Sequence, residues 1–231
     1  LLVRGNRSVS LTAAGELLLR RAEEMIALED KIKEEVNSGS PGGVISLGLA
    51  ESSSANDVAD VIGVFRKKYP AVKFELFTAT ADLVLERIDK GLVDVGFLLE
   101  PVNVEKYDFV RLPHEERVGV LTRADGKFAG KSEISSEELL GEPLIVPVRR
   151  ELQQNFRSII GPVYDKFEII ATFNVVNNAS LLAERGTGSV LVIEGATQYL
   201  HNAALKFLPI AGQPSMRCVA VWKKFQPSGK A

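Results

Sequence analysis

The sequence predicts a mixed α/β protein in which two α/β lobes follow one long amphipathic helix. Three observations lead there. Leu11, Gly15, Leu18, Ala22, Met25, Glu29, Ile32 and Val36 recur at alternating steps of four and three, a heptad seam interrupted by one glycine and one glutamate. From Val44 the pattern changes to short apolar runs alternating with amphipathic helices, as in βα units around a mostly parallel sheet. Finally, the strand-like run Met216 to Trp222 follows Gly212-Gln213-Pro214, well placed to return to the first lobe.

The elements follow in order. Thr12 is placed to cap the long helix, whose mixed-charge flanks suit water, and Asn37 to Gly43 reads as a flexible connector. Residues 44–50 read as a buried strand, and the next helix is expected to turn Val58, Val61, Ile62 and Phe65 inward before Tyr69-Pro70. Strands at 72–77 and 93–99 bracket a helix at 82–90 stopped by Gly91. Residues 100–112 read as irregular or edge-like, and a further strand begins at Val118. Ser135-Ser136-Glu137-Glu138 resembles a capping box, residues 143–147 a strand, and 151–160 a helix. A strand at 167–173, a turn at Asn177-Asn178, a helix ending at Arg185-Gly186, and strands at 189–193 and 206–210 complete the second lobe.

Composition narrows the function. The chain has 231 residues with 28 basic and 30 acidic side chains and a net charge of −2, so no global positive field draws it to nucleic acid. Any DNA contact is expected to be local, and Arg4 and Arg7 precede the helix without an acid beside them. The single cysteine, Cys218, excludes an internal disulfide, and no apolar run approaches a membrane span, so a cytoplasmic setting is expected. His114 and His201 lack Cys, Asp or Glu at ligand spacing, so neither metal nor cofactor is expected. Ser52, Ser53 and Ser54 sit in no nucleophile elbow, and Gly186-Thr187-Gly188 lacks the lysine of a phosphate loop, so the chain is not expected to be an enzyme.

A binding role reads better, because polar turns fall at the carboxyl ends of parallel strands, where open α/β sheets place ligands. Ser52, Ser53 and Ser54 lead into a helix whose free N–H groups suit an anionic or strongly polar group, and Thr78 and Thr80 occupy the equivalent turn of the next unit. Glu51 beside them would repel an anion unless it points away or is paired.

The opening from Leu2 through Arg4, Arg7, Leu11-Thr12-Ala13-Ala14-Gly15 resembles the wing and linker helix of LysR-type transcriptional regulators. The resemblance continues through Phe65-Arg66-Lys67-Lys68-Tyr69-Pro70, Gly91-Leu92-Val93-Asp94-Val95-Gly96, and Leu181 to Gly188 with Leu191-Val192-Ile193. It implies the type 2 periplasmic-binding-protein fold, with residues 1–11 a wing remnant and 12–38 the dimerisation helix. Lobe I would be 42–117 with 216–228, and lobe II 118–215. It also implies a preceding helix-turn-helix head and a closing helix, neither of which this sequence contains. Positions matching the family's effector cleft are Phe97, Leu98, Pro147, Val148 and Asn177.

The resulting expectation is the effector-binding and oligomerisation portion of a DNA-binding regulator. A small polar or anionic molecule would bind between the lobes, and DNA would be bound only by the full-length protein. Leu18, Ala22, Met25, Ile32 and Val36 would join copies into a homodimer, and the resemblance adds tetramers. The alternative, a solute-binding protein of the same fold serving transport, has no need of a dimerising rod before its first strand.

Overall fold

The computed structural model describes residues 1–4, 8–37 and 43–224. Arg7, the connector at 38–42, the tail after 224 and the side chain of Val36 lie outside the described residues.

The chain opens with an exposed antiparallel hairpin of β1 (Leu2–Arg4) and β2 (Val9–Leu11), which runs directly into α1 (Ala13–Asn37). The join is tight. Thr12 donates its N–H to the Leu1 carbonyl at 2.9 Å, and its Oγ1 accepts from Gly15 N–H at 3.1 Å, the helix cap read from the sequence. Gly15 is required by close approach, since a Cβ there would collide with the Leu1 carbonyl oxygen. This seam position therefore faces the chain's own hairpin rather than a partner helix. Leu18, Met25 and Ile32 are exposed, as a waiting seam requires, and Ala22 is half-buried. Leu17, Leu19 and Ile26 are exposed too, so the apolar surface is wider than the predicted stripe.

The first sheet has the order β4-β3-β5-β12-β6. Its strands are β3 (Gly43–Leu49), β4 (Val72–Thr78), β5 (Val95–Leu99), β6 (Tyr107–Glu116) and β12 (Met216–Lys223). β3, β4 and β5 run parallel, each βα crossover supplied by α2 (Ser54–Lys68) or α3 (Ala81–Asp89), while β12 lies antiparallel between β5 and β6. Asp94 accepts the Ser46 N–H at 2.8 Å, which gives the acid of the Gly-x-x-Asp-x-Gly segment its task of fixing the start of β5 beside β3. Val84, Ile88, Leu98, Val219 and Val221 are the buried centre of this lobe. Each such side chain contributes about 1.5–3 kcal/mol by leaving water.

The chain crosses at Arg117 into the second sheet, of order β11-β7-β10-β8-β9. Its strands are β7 (Val118–Arg123), β8 (Pro143–Pro147), β9 (Glu168–Phe173), β10 (Ser189–Ile193) and β11 (Leu205–Pro209). β8, β9 and β10 are parallel, and α4 (Arg150–Ile160) and α5 (Val176–Glu184) make the crossovers. The larger apolar core lies here, and it reaches across the hinge to Leu99, Met216 and Cys218 of the first lobe.

Four local expectations need correction. Val61 is 60% exposed; α2 buries Val58 and half-buries Ile62 and Phe65, because a helix on a sheet covers only one stripe. Residues 107–112 belong to a regular edge strand, β6, rather than to irregular chain. Asn177 and Asn178 lie inside the first turn of α5, and the bend comes earlier, at Asn174-Val175. The capping box is half made: Glu138 accepts the Ser135 N–H at 3.0 Å, but no serine hydroxyl returns the bond, and the segment is a single 3₁₀ turn, Glu137–Leu139.

Candidate functional site

The carboxyl ends of six parallel strands converge between the lobes. Ala50 and Glu51 follow β3, Ala79 and Thr80 follow β4, and Leu99 ends β5. Opposite them, Pro147 and Val148 end β8, Phe173 and Asn174 end β9, and Ile193 ends β10. Together with Arg149, Leu152 and Phe156 they wall a cavity of about 80 Å³. A second cavity of about 310 Å³ adjoins it, lined by Leu76, Thr78, Val176, Asn177 and Tyr199, and Glu51 and Ala196 border both. Thr78, Thr80, Pro147, Val148 and Asn177 are thus brought to one cleft.

Ser52, Ser53 and Ser54 are not. The hydroxyls of Ser52 and Ser54 lie 2.7 Å apart, both residues are buried, and none of the three lines either cavity. The anion at the start of α2 belongs to the protein itself: Glu116 Oε1 accepts the Ser53 N–H at 2.6 Å, and Oε2 accepts the Gly195 N–H at 2.8 Å. Glu116 ends β6 and is 1% exposed, so one buried carboxylate clamps the first lobe's helix start to the loop after β10. Gln198 and Tyr199 reinforce that clamp by donating to the Ser52 carbonyl at 3.0 and 3.3 Å. Phe97 and Leu98 also miss the cleft. β5 is covered on both faces, so Phe97 packs with the Leu47 and Val58 cluster under α2, and Leu98 is fully buried against the α3 side. The strand reaches the cavity with Leu99 instead.

Glu51 repeats the pattern from the other side. Its Oε2 accepts the Val176 N–H at 2.7 Å, so a lobe I carboxylate serves the start of α5 in lobe II. Burial pushes the Glu51 carboxyl above its ordinary value, and the Val176 N–H only partly offsets this. Arg149, unselected from the sequence, is a further bridge. Its side chain is only 10% exposed, its Nε lies 3.3 Å from both Asp82 carboxylate oxygens, and its Nη2 donates to the Pro101 carbonyl at 3.2 Å. Asn56 donates to Gln198 at 2.6 Å as well, so the lobes are held closed at several points around the cavity. The only sequence signal for these bridges was the concentration of charge at residues 114–117 and 149–151, which does not say what the charges face.

Among the described residues, chemistry other than binding finds no constellation. His114 pairs with Asp57 at 2.9 Å on the edge of the first lobe. Among the described residues no group of three or more His, Cys, Asp or Glu is placed to hold a metal, and no helix is long and apolar enough to cross a membrane. Cys218 is buried, and desolvation pushes its thiol up to about 11, against the partial relief of the Ser52 and Ser54 hydroxyls. At pH 8 only roughly one thiol in a thousand would be ionised, so a disulfide reagent should label native protein at the rate of opening and denatured protein at once. Rapid stoichiometric labelling of the native protein would contradict this burial.

Comparison with known proteins fixes the family. The family profile described as the LysR substrate binding domain matches residues 38–231. The chain belongs to the LysR family. The Hca operon transcriptional activator HcaR of Escherichia coli K12 is 29% identical over 242 residues, covering 97% of this chain and 77% of HcaR. The Bacillus subtilis regulator YybE is 30% identical over 145 residues, 62% of this chain and 49% of YybE. The chain thus spans about three quarters of one LysR relative and about half of the other. Among solved structures, the LysR family transcriptional regulator CbnR superposes with a TM-score of 0.78 at 17% identity, covering 96% of this chain and 78% of CbnR. HinK of Pseudomonas aeruginosa gives 0.66 at 20% identity, with 96% and 79% covered. These place the two lobes in the type 2 periplasmic-binding-protein-like fold of LysR regulatory domains. The relatives are named as transcriptional regulators, not as transport receptors, which sets the transport alternative aside.

Proposed function

We propose that this chain is the effector-binding and oligomerisation part of a cytoplasmic DNA-binding regulator, in which a small polar molecule held between the lobes sets their relative population. The observation that carries this reading is the convergence of six strand ends on one cavity walled by both lobes, where a bound molecule touches groups on each side. A ligand shifts such an equilibrium only by its differential affinity for the two arrangements, and contacts to both walls supply that difference. α1 then carries the change toward the hairpin, where Arg4 is exposed for phosphate contact and Arg7 is assigned the same role by the family pattern. Base reading and operator choice belong to the full-length protein. Copies associate through Leu18, Ala22, Met25, Ile32 and Val36 as a dimer, with a tetramer the further state.

The anionic effector expected at Ser52 to Ser54 loses support, because these serines line neither cavity and Glu116 already occupies the Ser53 N–H. A ligand found by thermal-shift screening should, at about a hundred times its Kd, stabilise the protein by about 2.7 kcal/mol. It should also slow amide exchange at Ser53, Val176 and Gly195 together. Protection confined to one lobe or to α1 would place the site elsewhere.

A further inference from the structure

Resting on the cleft reading above, we infer that the effector carries a protonated amine seated against Glu51, with an apolar body in the cavity beyond it. Glu51 borders both cavities, so a molecule in either one meets this carboxylate. Its Oε2 is spent on Val176 N–H, while Oε1 has no hydrogen-bond partner among the described residues. Among the described residues no cationic side chain pairs with Glu51; burial raises its proton affinity and the Val176 N–H partly offsets that. A half-buried carboxylate served by one neutral donor has lost part of its hydration, and a ligand cation both pairs it and replaces what was lost.

The same surroundings disfavour a carboxylate ligand. One N–H at each helix start, that of Ser53 for α2 and that of Val176 for α5, is already taken by Glu116 and Glu51, and both acids would repel it. Arg149 is the one guanidinium lining the cavity among the described residues, and it is already engaged by Asp82 and the Pro101 carbonyl. Beyond Glu51 the walls are Leu99, Pro147, Leu152, Phe156, Phe173 and Val192, which suit hydrocarbon.

Three probes of one shape test this: 3-methylbutylamine, 3-methylbutanoate and 3-methylbutanol, titrated at pH 7 by calorimetry and by methyl chemical shifts. The amine should bind more tightly than both others by roughly ten-fold or more. Glu51→Gln keeps the shape and an acceptor oxygen for the Val176 N–H, and it should abolish that preference, bringing the amine down to about the affinity of the alcohol for the same variant. Val148→Trp, which fills the cavity from the opposite wall, should weaken all three probes. Tighter binding of the acid, a preference that survives Glu51→Gln, or no amine binding at about 20 mM overturns the inference. If Val148→Trp weakens the probes while Glu51→Gln changes nothing, the amine fails and the cleft stands. If neither variant alters probe binding, the cleft reading fails with it.

Discussion

Gly195→Ala should force the lobes apart. A Cβ at this position would fall inside the radii of the Ser53 nitrogen, a backbone atom at the start of α2, and of both Glu116 carboxylate oxygens. The backbone nitrogen at the start of α2 cannot move without α2, so the loop after β10 has to retreat and the Glu116 bridge breaks. A buried carboxylate then loses two charge-assisted hydrogen bonds. Leaving its partners unsatisfied costs about 1–3 kcal/mol for each group, so about 2–6 kcal/mol is expected in all. Thermal unfolding should shift down accordingly, and exchange at Ser53 N–H should accelerate more than exchange in the core of either sheet. Glu116→Gln offers a milder comparison, since it keeps the volume and one acceptor oxygen while removing the charge. A Gly195→Ala protein with unchanged melting and unchanged Ser53 exchange would show that the bridge does not hold the closed arrangement.

Glu at positions 25 and 32 should yield smaller particles. Met25 is 72% exposed and Ile32 50%, on a helix of 25 residues that presents Leu17, Leu18, Leu19 and Ile26 to solvent as well. An exposed apolar stripe along a helix about 37 Å long is the physical case for association through this helix. Burying each of the two side chains contributes about 1.5–3 kcal/mol, and replacing both with carboxylates removes that gain and adds repulsion between copies. Light scattering of the double variant should report a lower mass than wild type at the same concentration. An unchanged mass would reject α1 as the interface. The breadth of the exposed surface adds a refinement: Leu17→Glu with Ile26→Glu, off the predicted seam, should weaken association if the contact is wider than a two-stranded stripe.

What the sequence revealed and what it hid divide by the distance over which the determining contact acts. α2 was legible because Val58 and Ile62 recur at helical spacing, α3 because Gly91 marks its stop, and β3 and β10 because short apolar runs lie between turn residues. Thr12 was legible because its acceptor serves a donor three residues on. The start of α5 was not. Its first N–H is satisfied by Glu51, 125 residues away, so the local Asn177-Asn178 pair gave a turn signal that a distant carboxylate overrides. The serine turn failed similarly: its three hydroxyls and helix start resemble an anion site, yet the anion that fills it comes from Glu116, 63 residues along the chain. Val61 shows the limit in the other direction, since apolar identity alone does not say which stripe a helix turns inward. The wall residues Thr78 and Thr80 were reachable because strand ends are local features, and Pro147, Val148 and Asn177 through the LysR resemblance, whereas the groups that close the cleft are long-range pairs.

The fused hairpin and helix at the amino end form a lever without a joint. Leu1, Thr12 and Gly15 lock backbone to backbone, so β1 and β2 turn with α1 as one body. Further along, Lys90 on the first lobe bridges Glu24 of α1 at 2.7 Å and Glu86 at 2.7 Å, giving that body a fulcrum. From Glu24 back to Thr12 the arm is about 18 Å, so a tilt of about five degrees at the fulcrum carries the hairpin by about 1.6 Å. Arg4, at the end of β1, is carried by that sweep.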